Sequence, residues 1–153
     1  MQAIEQHFGH LGLHVERAVF TWMRELAADH QGGYWHFHEL SNGGFYMAPS
    51  TPERLELHCV GNQFRGEMST DAAGIVATLF ALSHLSFAQR DERIAYHYHW
   101  LRDFAASHPE ASLIFQAIDS SAVGAGGTGS PALSGADRVR RVWGCARWAG
   151  VAR

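Results

Sequence analysis

The stretch GGYWHFHELSNGGFYMAP, Gly32–Pro49, decides the fold of this chain. Its aromatic segments Tyr34–Leu40 and Phe45–Ala48 flank the loop SNGG at positions 41–44. An Asn-Gly pair between two such segments is the strongest short-range signal for a β-hairpin with a type I′ turn. The stretch therefore predicts two antiparallel strands that are joined by an Asn-Gly turn.

A second hairpin is predicted directly downstream of Pro49 and Pro52, which cannot donate to a strand ladder. Apolar and polar residues alternate on both sides of Gly61-Asn62, as expected of strands that bury one face. The apolar row consists of Leu55, Leu57, Cys59, Phe64, Gly66 and Met68. Together the two hairpins predict an antiparallel sheet of about four strands.

About four helices are predicted to pack with this sheet. The segment STDAAGIVATLFALSHLSF, Ser69–Phe87, is apolar nearly all round. Ser69 offers an N-cap and Asp71 lies in the first turn, where an acidic side chain favours the helix dipole. The other helices are predicted over 11–31, from Asp91 to about 107, and from Pro109 to 118. The chain is thus predicted to belong to the α+β class.

Charge and composition divide the chain after residue 119. Residues 1–119 hold 14 acidic residues against 7 arginines, a net charge of −7, and residues 120–153 hold 1 against 5, a net charge of +4. We predict one domain at 1–119 and, at 120–153, a Gly/Ser-rich linker with a basic, Trp-containing end that is disordered. The mildly acidic domain lacks the concentrated basic face that DNA binding needs, and its charge is too weak to imitate a duplex.

No constellation of residues predicts catalysis. The chain has 11 histidines, but only His36 and His38 share one strand face, and Glu39 points to the opposite face. The string HFHEL lacks the HExxH spacing of zinc proteases, and Ser69 with Asp71 is explained by helix capping. We therefore predict no catalytic residue, no metal and no cofactor, and a protein that is not an enzyme.

Two alternative functions remain open, a histidine-based metal-dependent hydrolase and a nucleic-acid-binding accessory protein that acts through the basic tail. The aromatic row of the first hairpin is expected to pack against helices rather than to stack on nucleobases. This row consists of Tyr34, Trp35, Phe37, Phe45 and Tyr46.

From about Leu13 to Asp119 the chain resembles the ArdB/KlcA antirestriction family. The resemblance rests on the two stretches quoted above and on VFTWMRELAADHQGGYW (19–35), NQFRGEMS (62–69), YHWLRDFAASHPE (98–110) and IFQAID (114–119). It implies a small α+β domain without catalytic residues, which agrees with the reading of the elements. The chain departs from the family pattern by continuing for 34 residues after Asp119.

The resemblance implies an antirestriction protein of a mobile genetic element such as a plasmid, acting in the cytoplasm. Such a protein would interfere with host type I restriction–modification enzymes, directly or indirectly, by protein interaction and without DNA mimicry. We expect the contact surface to include the hairpin tip Ser41, Asn42, Gly43 and Gly44, with Tyr46. No membrane partner is predicted, because the apolar run Ala72–Leu82 is shorter than the roughly 20 residues that span a bilayer.

Overall fold

The computed structural model describes residues 2–30 and 32–119. The predicted tail at 120–153 lies outside the described residues. The elements, in chain order, are α1 (Gln2–Phe8), a 3-10 helix (Gly9–Leu11), α2 (Gly12–Leu26), β1 (Trp35–Glu39), β2 (Phe45–Pro49), β3 (Leu55–Cys59), β4 (Phe64–Met68), α3 (Thr70–Gln89), α4 (Glu92–Ala105) and α5 (Ala111–Ile118).

The predicted α+β class and both predicted hairpins are confirmed. In the first hairpin, β1 pairs antiparallel with β2, with Phe37 opposite Met47. In the second hairpin, β3 pairs antiparallel with β4, with Leu57 opposite Gly66. The residues of β3 alternate between buried and exposed as the sequence predicts, whereas all five residues of β2 are buried.

The two hairpins form separate two-stranded sheets rather than the single four-stranded sheet that the sequence predicts. The reason is that α3 occupies the outer edge of β2. There the backbone N–H of Met47 donates to Oγ1 of Thr78 at 3.2 Å. Gly74 allows the close approach, because a Cβ at this position would lie 2.4 Å from the carbonyl oxygen of Met47. A helix thus covers the edge that a third strand would need.

Helix α3 forms the centre of the domain. Its predicted cap is confirmed, since the Ser69 hydroxyl accepts a hydrogen bond from the Ala72 N–H at 3.2 Å. Every residue from Ala72 to Ser83 is buried, and the neighbouring elements are α2, α4, α5 and β2. Length and composition alone would let α3 cross a membrane, but 72% of its apolar window is buried inside the domain, as in a core helix.

The N-terminal region differs from the predicted single helix over 11–31. Helix α2 ends at Leu26, and Gly32 and Gly33 lie in the connection to β1 with φ angles of 94° and 138°. An additional helix, α1, precedes it and is fixed by the burial of Ile4 and Phe8. With only seven residues, α1 is too short for its periodicity to stand out in the sequence.

The two remaining predicted helices are confirmed as α4 and α5. The carboxylate of Asp91 caps α4 by accepting from the N–H of Arg93 at 2.9 Å. Pro109 lies two residues before the first residue of α5 rather than inside its first turn. The apolar stripe of α4 is buried and consists of Ile94, Tyr98, Leu101 and Ala105.

Candidate interaction surface at the first hairpin

The tip of the first hairpin is a three-residue turn rather than the predicted type I′ turn. A type I′ turn needs positive φ angles at two successive residues, whereas here Gly43 has a φ of 92° and Asn42 does not have a positive φ. The Gly43 N–H donates to the Leu40 carbonyl at 3.0 Å, and the Leu40 N–H donates to the Gly44 carbonyl at 2.8 Å. Both bonds fit a turn that closes with a left-handed glycine. Ser41, Asn42 and Gly43 are exposed, and Gly44 is buried.

Asn42 connects this tip to α4. Its side-chain oxygen accepts from the Gly44 N–H at 3.0 Å, and its amide nitrogen donates to the Trp100 carbonyl at 2.8 Å. The side chain therefore closes the turn and fixes it to a helix that lies 58 residues further along the chain. A rigidly held tip is better suited to recognition than a free loop, because less conformational entropy is lost on binding.

Two aromatic side chains of α4 extend the exposed surface beside the tip. Trp100 lies under the glycines, since a Cβ at Gly43 would be 3.7 Å from its ring and a Cβ at Gly44 would be 3.0 Å from its Cβ. The Tyr96 ring stacks on the Trp100 ring with centroids 6.1 Å apart. Tyr96 is 55% exposed and Trp100 is 36% exposed. Because the two rings are stacked side by side, they form a contiguous exposed apolar patch, the kind of surface that proteins use for contacts.

Tyr96 and Trp100 were not among the residues predicted for the contact surface. A usable signal was present, because the two aromatics are four residues apart and off the apolar stripe of α4. Their closeness to the hairpin tip depends on tertiary packing and could not be obtained from spacing.

Tyr46 lies beneath the surface rather than on it. It is 4% exposed, and its ring stacks on those of His38 and Phe104, with centroids 4.5 and 6.0 Å away. Its hydroxyl donates to Oδ1 of Asp71 at 2.6 Å. Burial, helped by the hydrogen bond to Asp71 and by the negative charge of this carboxylate, raises the pKa of Tyr46 well above its usual value. Tyr46 is therefore a neutral phenol that supports the tip from within.

Asp71 joins Tyr46 to a histidine that sequence reasoning did not select. Nε2 of His108 lies 3.0 Å from Oδ2 of Asp71, and Nδ1 of His108 accepts from the Glu110 N–H at 3.0 Å. The second contact leaves the proton on Nε2, so that His108 donates to the carboxylate. Because both ring nitrogens are engaged, His108 has no nitrogen left to act as a general base.

Ser69, the N-cap of α3, has a structural partner in Glu110. Ser69 donates through its hydroxyl and its backbone N–H to the carboxylate of Glu110, which also accepts from Arg54 at 2.9 Å. Burial raises the pKa of Glu110, but the hydrogen bonds from Ser69 and Arg54 outweigh it and hold that pKa below its usual value. His84, the histidine near the end of α3, is exposed and offers no buried partner to this serine. These contacts join β3, α3 and the start of α5.

His97 lies directly behind Trp100 in an aromatic box. Its ring centroid is 5.1 Å from those of His7 and Trp100 and 4.5 Å from that of Phe8. His97 is 4% exposed, and its Nδ1 has no hydrogen-bond partner within the described part of the chain. Burial, together with repulsion from His7, lowers the pKa of His97 to about 4. The ring is therefore neutral near pH 7.

The histidines on and beside the first hairpin are engaged in contacts with other side chains. His36 lies 2.9 Å from the Ser50 hydroxyl, and His7 lies 3.0 Å from the Glu39 carboxylate. The rings of His36 and His38 are 6.2 Å apart, and His38 stacks on Tyr46. Within residues 2–30 and 32–119, no three His, Cys, Asp or Glu side chains come together as a metal site.

The aromatic row of the first hairpin is used mainly for packing, as predicted. Phe45 and Tyr46 are buried, Trp35 and Phe37 are half-buried, and the rings of Phe37 and Phe45 stack 5.0 Å apart. Tyr34 is different, because it is 89% exposed. A single exposed ring does not form a platform for successive nucleobases.

Comparison with known proteins gives a consistent result. A family model described as antirestriction protein matches residues 28–119. The antirestriction protein KlcA of Escherichia coli is 54% identical over 108 residues, which cover 68% of this chain and 76% of KlcA. The uncharacterized protein YfjX of Escherichia coli K12 is 38% identical over 118 residues, which cover 74% of this chain and 78% of YfjX.

A solved structure is also similar to this fold. It belongs to work on the KlcA and ArdB proteins, and it matches with a TM-score of 0.73 and 50% sequence identity. The match covers 77% of this chain and 87% of the solved chain. For KlcA and ArdB, that work describes a novel fold and antirestriction activity against type I DNA restriction systems in vivo but not in vitro.

Proposed function

This chain belongs to the antirestriction protein family, and from this premise we propose that it protects incoming DNA against type I restriction–modification systems. The proposal is carried by one observation, the match of the family model over residues 28–119, which include both hairpins and helices α3 to α5. The activity against type I systems described for KlcA and ArdB supports it. The protein would serve a mobile genetic element such as a plasmid and act in the cytoplasm.

We propose further that the protein acts by contacting another protein and not by chemistry or by imitating DNA. The side chains that sequence motifs suggest for catalysis are engaged in capping and packing, as Ser69 and Asp71 illustrate. The net charge of −7 is spread over residues 1–119 and gives the domain a far lower charge density than a duplex has. A duplex carries about one charge per 1.7 Å of axis. An interaction module is the function class that fits both features.

The proposed contact surface is centred on the hairpin tip. Ser41, Asn42 and Gly43 form its exposed part, and Gly44 and Tyr46 support it from beneath. Activity in vivo but not in vitro, as described for KlcA and ArdB, supports a partner that is present in the cell and absent from a purified restriction reaction. The host restriction machinery would therefore be affected directly or through such an additional component.

Phage plating tests this function. Unmodified phage are plated on a host with a type I system and on an isogenic host without it, each with and without expression of the full chain. We expect expression to raise the plating efficiency on the restricting host and to leave it unchanged on the other host. Equal plating with and without the protein on the restricting host, with soluble folded protein present, would overturn the proposal.

The contribution of the tip is tested in the same assay by Ser41→Arg, which adds a long side chain at an exposed position of the turn. The matched control is Ser112→Arg on the exposed side of α5. We expect the tip variant to lose protection and the control to keep it. Full protection by a folded Ser41→Arg variant would remove the tip from the contact surface.

A further inference from the structure

Helix α4 carries an exposed row of acidic and aromatic residues directly beside the hairpin tip. The row is named here the acid–aromatic stripe and consists of Glu92, Tyr96, Trp100 and Asp103, all exposed. Their spacing of i, i+4, i+8 and i+11 places them on one face of the helix. At a rise of about 1.5 Å per residue, the stripe is roughly 16 Å long.

The two carboxylates of the stripe are not neutralised by the arginines of the same helix. Arg93 pairs with Asp91 at 2.8 Å, and Arg102 pairs with Asp119 at 3.2 Å. In the part of the chain that the structure describes, neither Glu92 nor Asp103 takes part in an ion pair or a side-chain hydrogen bond. Two open negative charges thus flank the stacked aromatic pair.

The aromatic pair is held in place before any partner arrives. Trp100 is packed against Gly43 and Gly44 on one side and against the His97 ring on another, with the two ring planes nearly perpendicular and the centroids 5.1 Å apart. The Tyr96 ring lies nearly parallel to it, with 25° between the ring planes. Rings that need no rearrangement lose little entropy when a ligand stacks on them.

We infer that the acid–aromatic stripe binds an extended, arginine-rich segment of a second protein. A guanidinium group stacks on Trp and Tyr faces and also pairs with carboxylates, so one residue type satisfies every position of the stripe. Alternate residues of an extended segment are about 6.6 Å apart, close to the 5.4 Å of one helical turn. Arginines at every second position would therefore follow the stripe. The inference rests on the proposed function in taking the partner to be a protein.

Charge complementarity favours this partner over nucleic acid. The two open carboxylates repel phosphate, and the net charge of −7 over residues 1–119 attracts cationic segments at long range. Arginine is favoured over lysine, because the ammonium group is strongly hydrated and does not stack on the rings as a plane.

Titration of the full chain with a synthetic peptide tests the inference. The probe is a heptapeptide of alternating arginine and serine, and the comparison peptides carry lysine or glutamine in place of arginine. We expect saturable binding in calorimetry, weaker binding of the lysine peptide and none of the glutamine peptide. Rising salt should weaken the binding. Absence of saturable binding of the arginine peptide at low salt would overturn the inference.

Two variants place the binding on the stripe. The double variant Glu92→Gln/Asp103→Asn removes the charges, and Tyr96→Leu removes an exposed ring without touching the box around His97. We expect each variant to lower the affinity for the arginine peptide about fivefold to tenfold. The matched controls are Glu25→Gln/Asp29→Asn, which changes two exposed acids near the end of α2, and Tyr34→Leu, which removes another exposed ring. Equal weakening by variants and controls would show non-specific attraction and would overturn the inference.

The arginines of the chain itself are the competing occupant. If Arg138→Gln/Arg140→Gln/Arg141→Gln in the full chain strengthens binding of the probe, the stripe belongs to these arginines, and the assignment to a second protein is wrong. Unchanged affinity supports the assignment.

Failure of the two proposals is distinguishable. Protection in the plating assay without peptide binding refutes only the stripe, and peptide binding without protection refutes only the antirestriction function.

Discussion

The turns of the two hairpins are built by the same side-chain contacts, but they are attached to different helices, α4 and α5. In each turn an asparagine accepts from the backbone N–H two residues later, Asn42 from Gly44 at 3.0 Å and Asn62 from Phe64 at 2.9 Å. Each then donates its amide to a helix carbonyl at 2.8 Å, Asn42 to Trp100 of α4 and Asn62 to Ala117 of α5. Both turns are thus fixed by a single side chain.

The difference lies in the acceptors. Ala117 is in the last turn of α5, where backbone carbonyls have no hydrogen-bond partner within the helix. Asn62 therefore provides a donor to a carbonyl that would otherwise lack one. Trp100 is in the interior of α4, where helix geometry already provides a donor for its carbonyl. Asn62 therefore completes the fold, whereas Asn42 chiefly determines where the tip lies on Trp100. This difference supports the proposal that the contact surface lies at the first hairpin, and it gives the second hairpin a structural role.

The largest expected difference is the loss of stability when one glycine at each hairpin is replaced by alanine. Gly74 of α3 lies against the first hairpin, and Gly66 lies in β4 of the second. In Gly74→Ala the new Cβ would meet the backbone of Met47 and Ala48 within 2.4 to 2.7 Å, and backbone cannot move aside. In Gly66→Ala the new Cβ would meet the outer atom of the Phe64 ring at 2.8 Å, and this ring can turn. We expect a loss of about 3 kcal/mol or more in the free energy of unfolding for Gly74→Ala and less than about 1 kcal/mol for Gly66→Ala.

Urea denaturation of both variants measures the two losses in the free energy of unfolding. Equal losses would show that α3 and β2 separate as easily as a side chain turns, and the account of why the two sheets stay separate would then be wrong.

A second difference appears on acidification. His97 lies behind the first hairpin with a pKa of about 4 in the folded state, against an ordinary value of 6.5. Between these values the unfolded chain binds more protons, so the stability contributed by neutral His97 is complete above pH 6.5 and is lost as the pH falls towards 4. The loss reaches on the order of 3 kcal/mol.

His97→Phe should remove this part of the acid sensitivity, measured as the change in unfolding free energy between pH 7 and pH 4.5. His58→Gln, on the exposed face of the second hairpin, is the control and should keep the full sensitivity. The same pH dependence in His97→Phe and in the unmodified chain would contradict the assignment.

Local sequence signals were sufficient for the elements that depend on local chemistry. Alternation predicted the buried face of β3, and Ser69 predicted the start of α3, because capping and pleating act over a few residues. The separation of the two sheets was not predictable, since it depends on contacts of Thr78 and Gly74 with a strand about thirty residues earlier.

The candidate surface was predictable to a similar extent. The turn at residues 41–43 was located correctly, but its type was not, because the bond from Asn42 to Trp100 spans 58 residues. The burial of Tyr46 could not be predicted, because all five residues of β2 are buried and the strand has no polar–apolar alternation that would separate an inner from an outer face. Tyr96 and Trp100 were visible as aromatics off an apolar stripe, and only the fold places them beside the tip.

The two turn asparagines are expected to contribute differently to stability. Asn62→Ala should lower the free energy of unfolding by about 2 kcal/mol, because it leaves the α5 terminal carbonyls and the Phe64 N–H without their partner. Asn42→Ala should cost about 1 kcal/mol, because the Trp100 carbonyl keeps its bond within α4. Thermal denaturation measures both. A larger cost for Asn42→Ala would reverse the assignment of structural and recognition roles.

The smallest expected effects compare one polar contact from each hairpin. Tyr46→Phe removes the hydroxyl that donates to Asp71 at 2.6 Å beneath the first tip, and it should cost about 0.5 to 1 kcal/mol because the partly exposed carboxylate can be hydrated instead. Glu56→Gln breaks the pair with Arg65 on the outer face of the second hairpin. Since both of these groups are exposed and screened by solvent, no measurable change in stability is expected. Urea denaturation at low and high salt distinguishes the two, because only an effect of the surface pair would shrink with salt. A clear loss in Glu56→Gln would mean that the outer face of the second hairpin is covered in solution, and recognition would then have to be sought there as well.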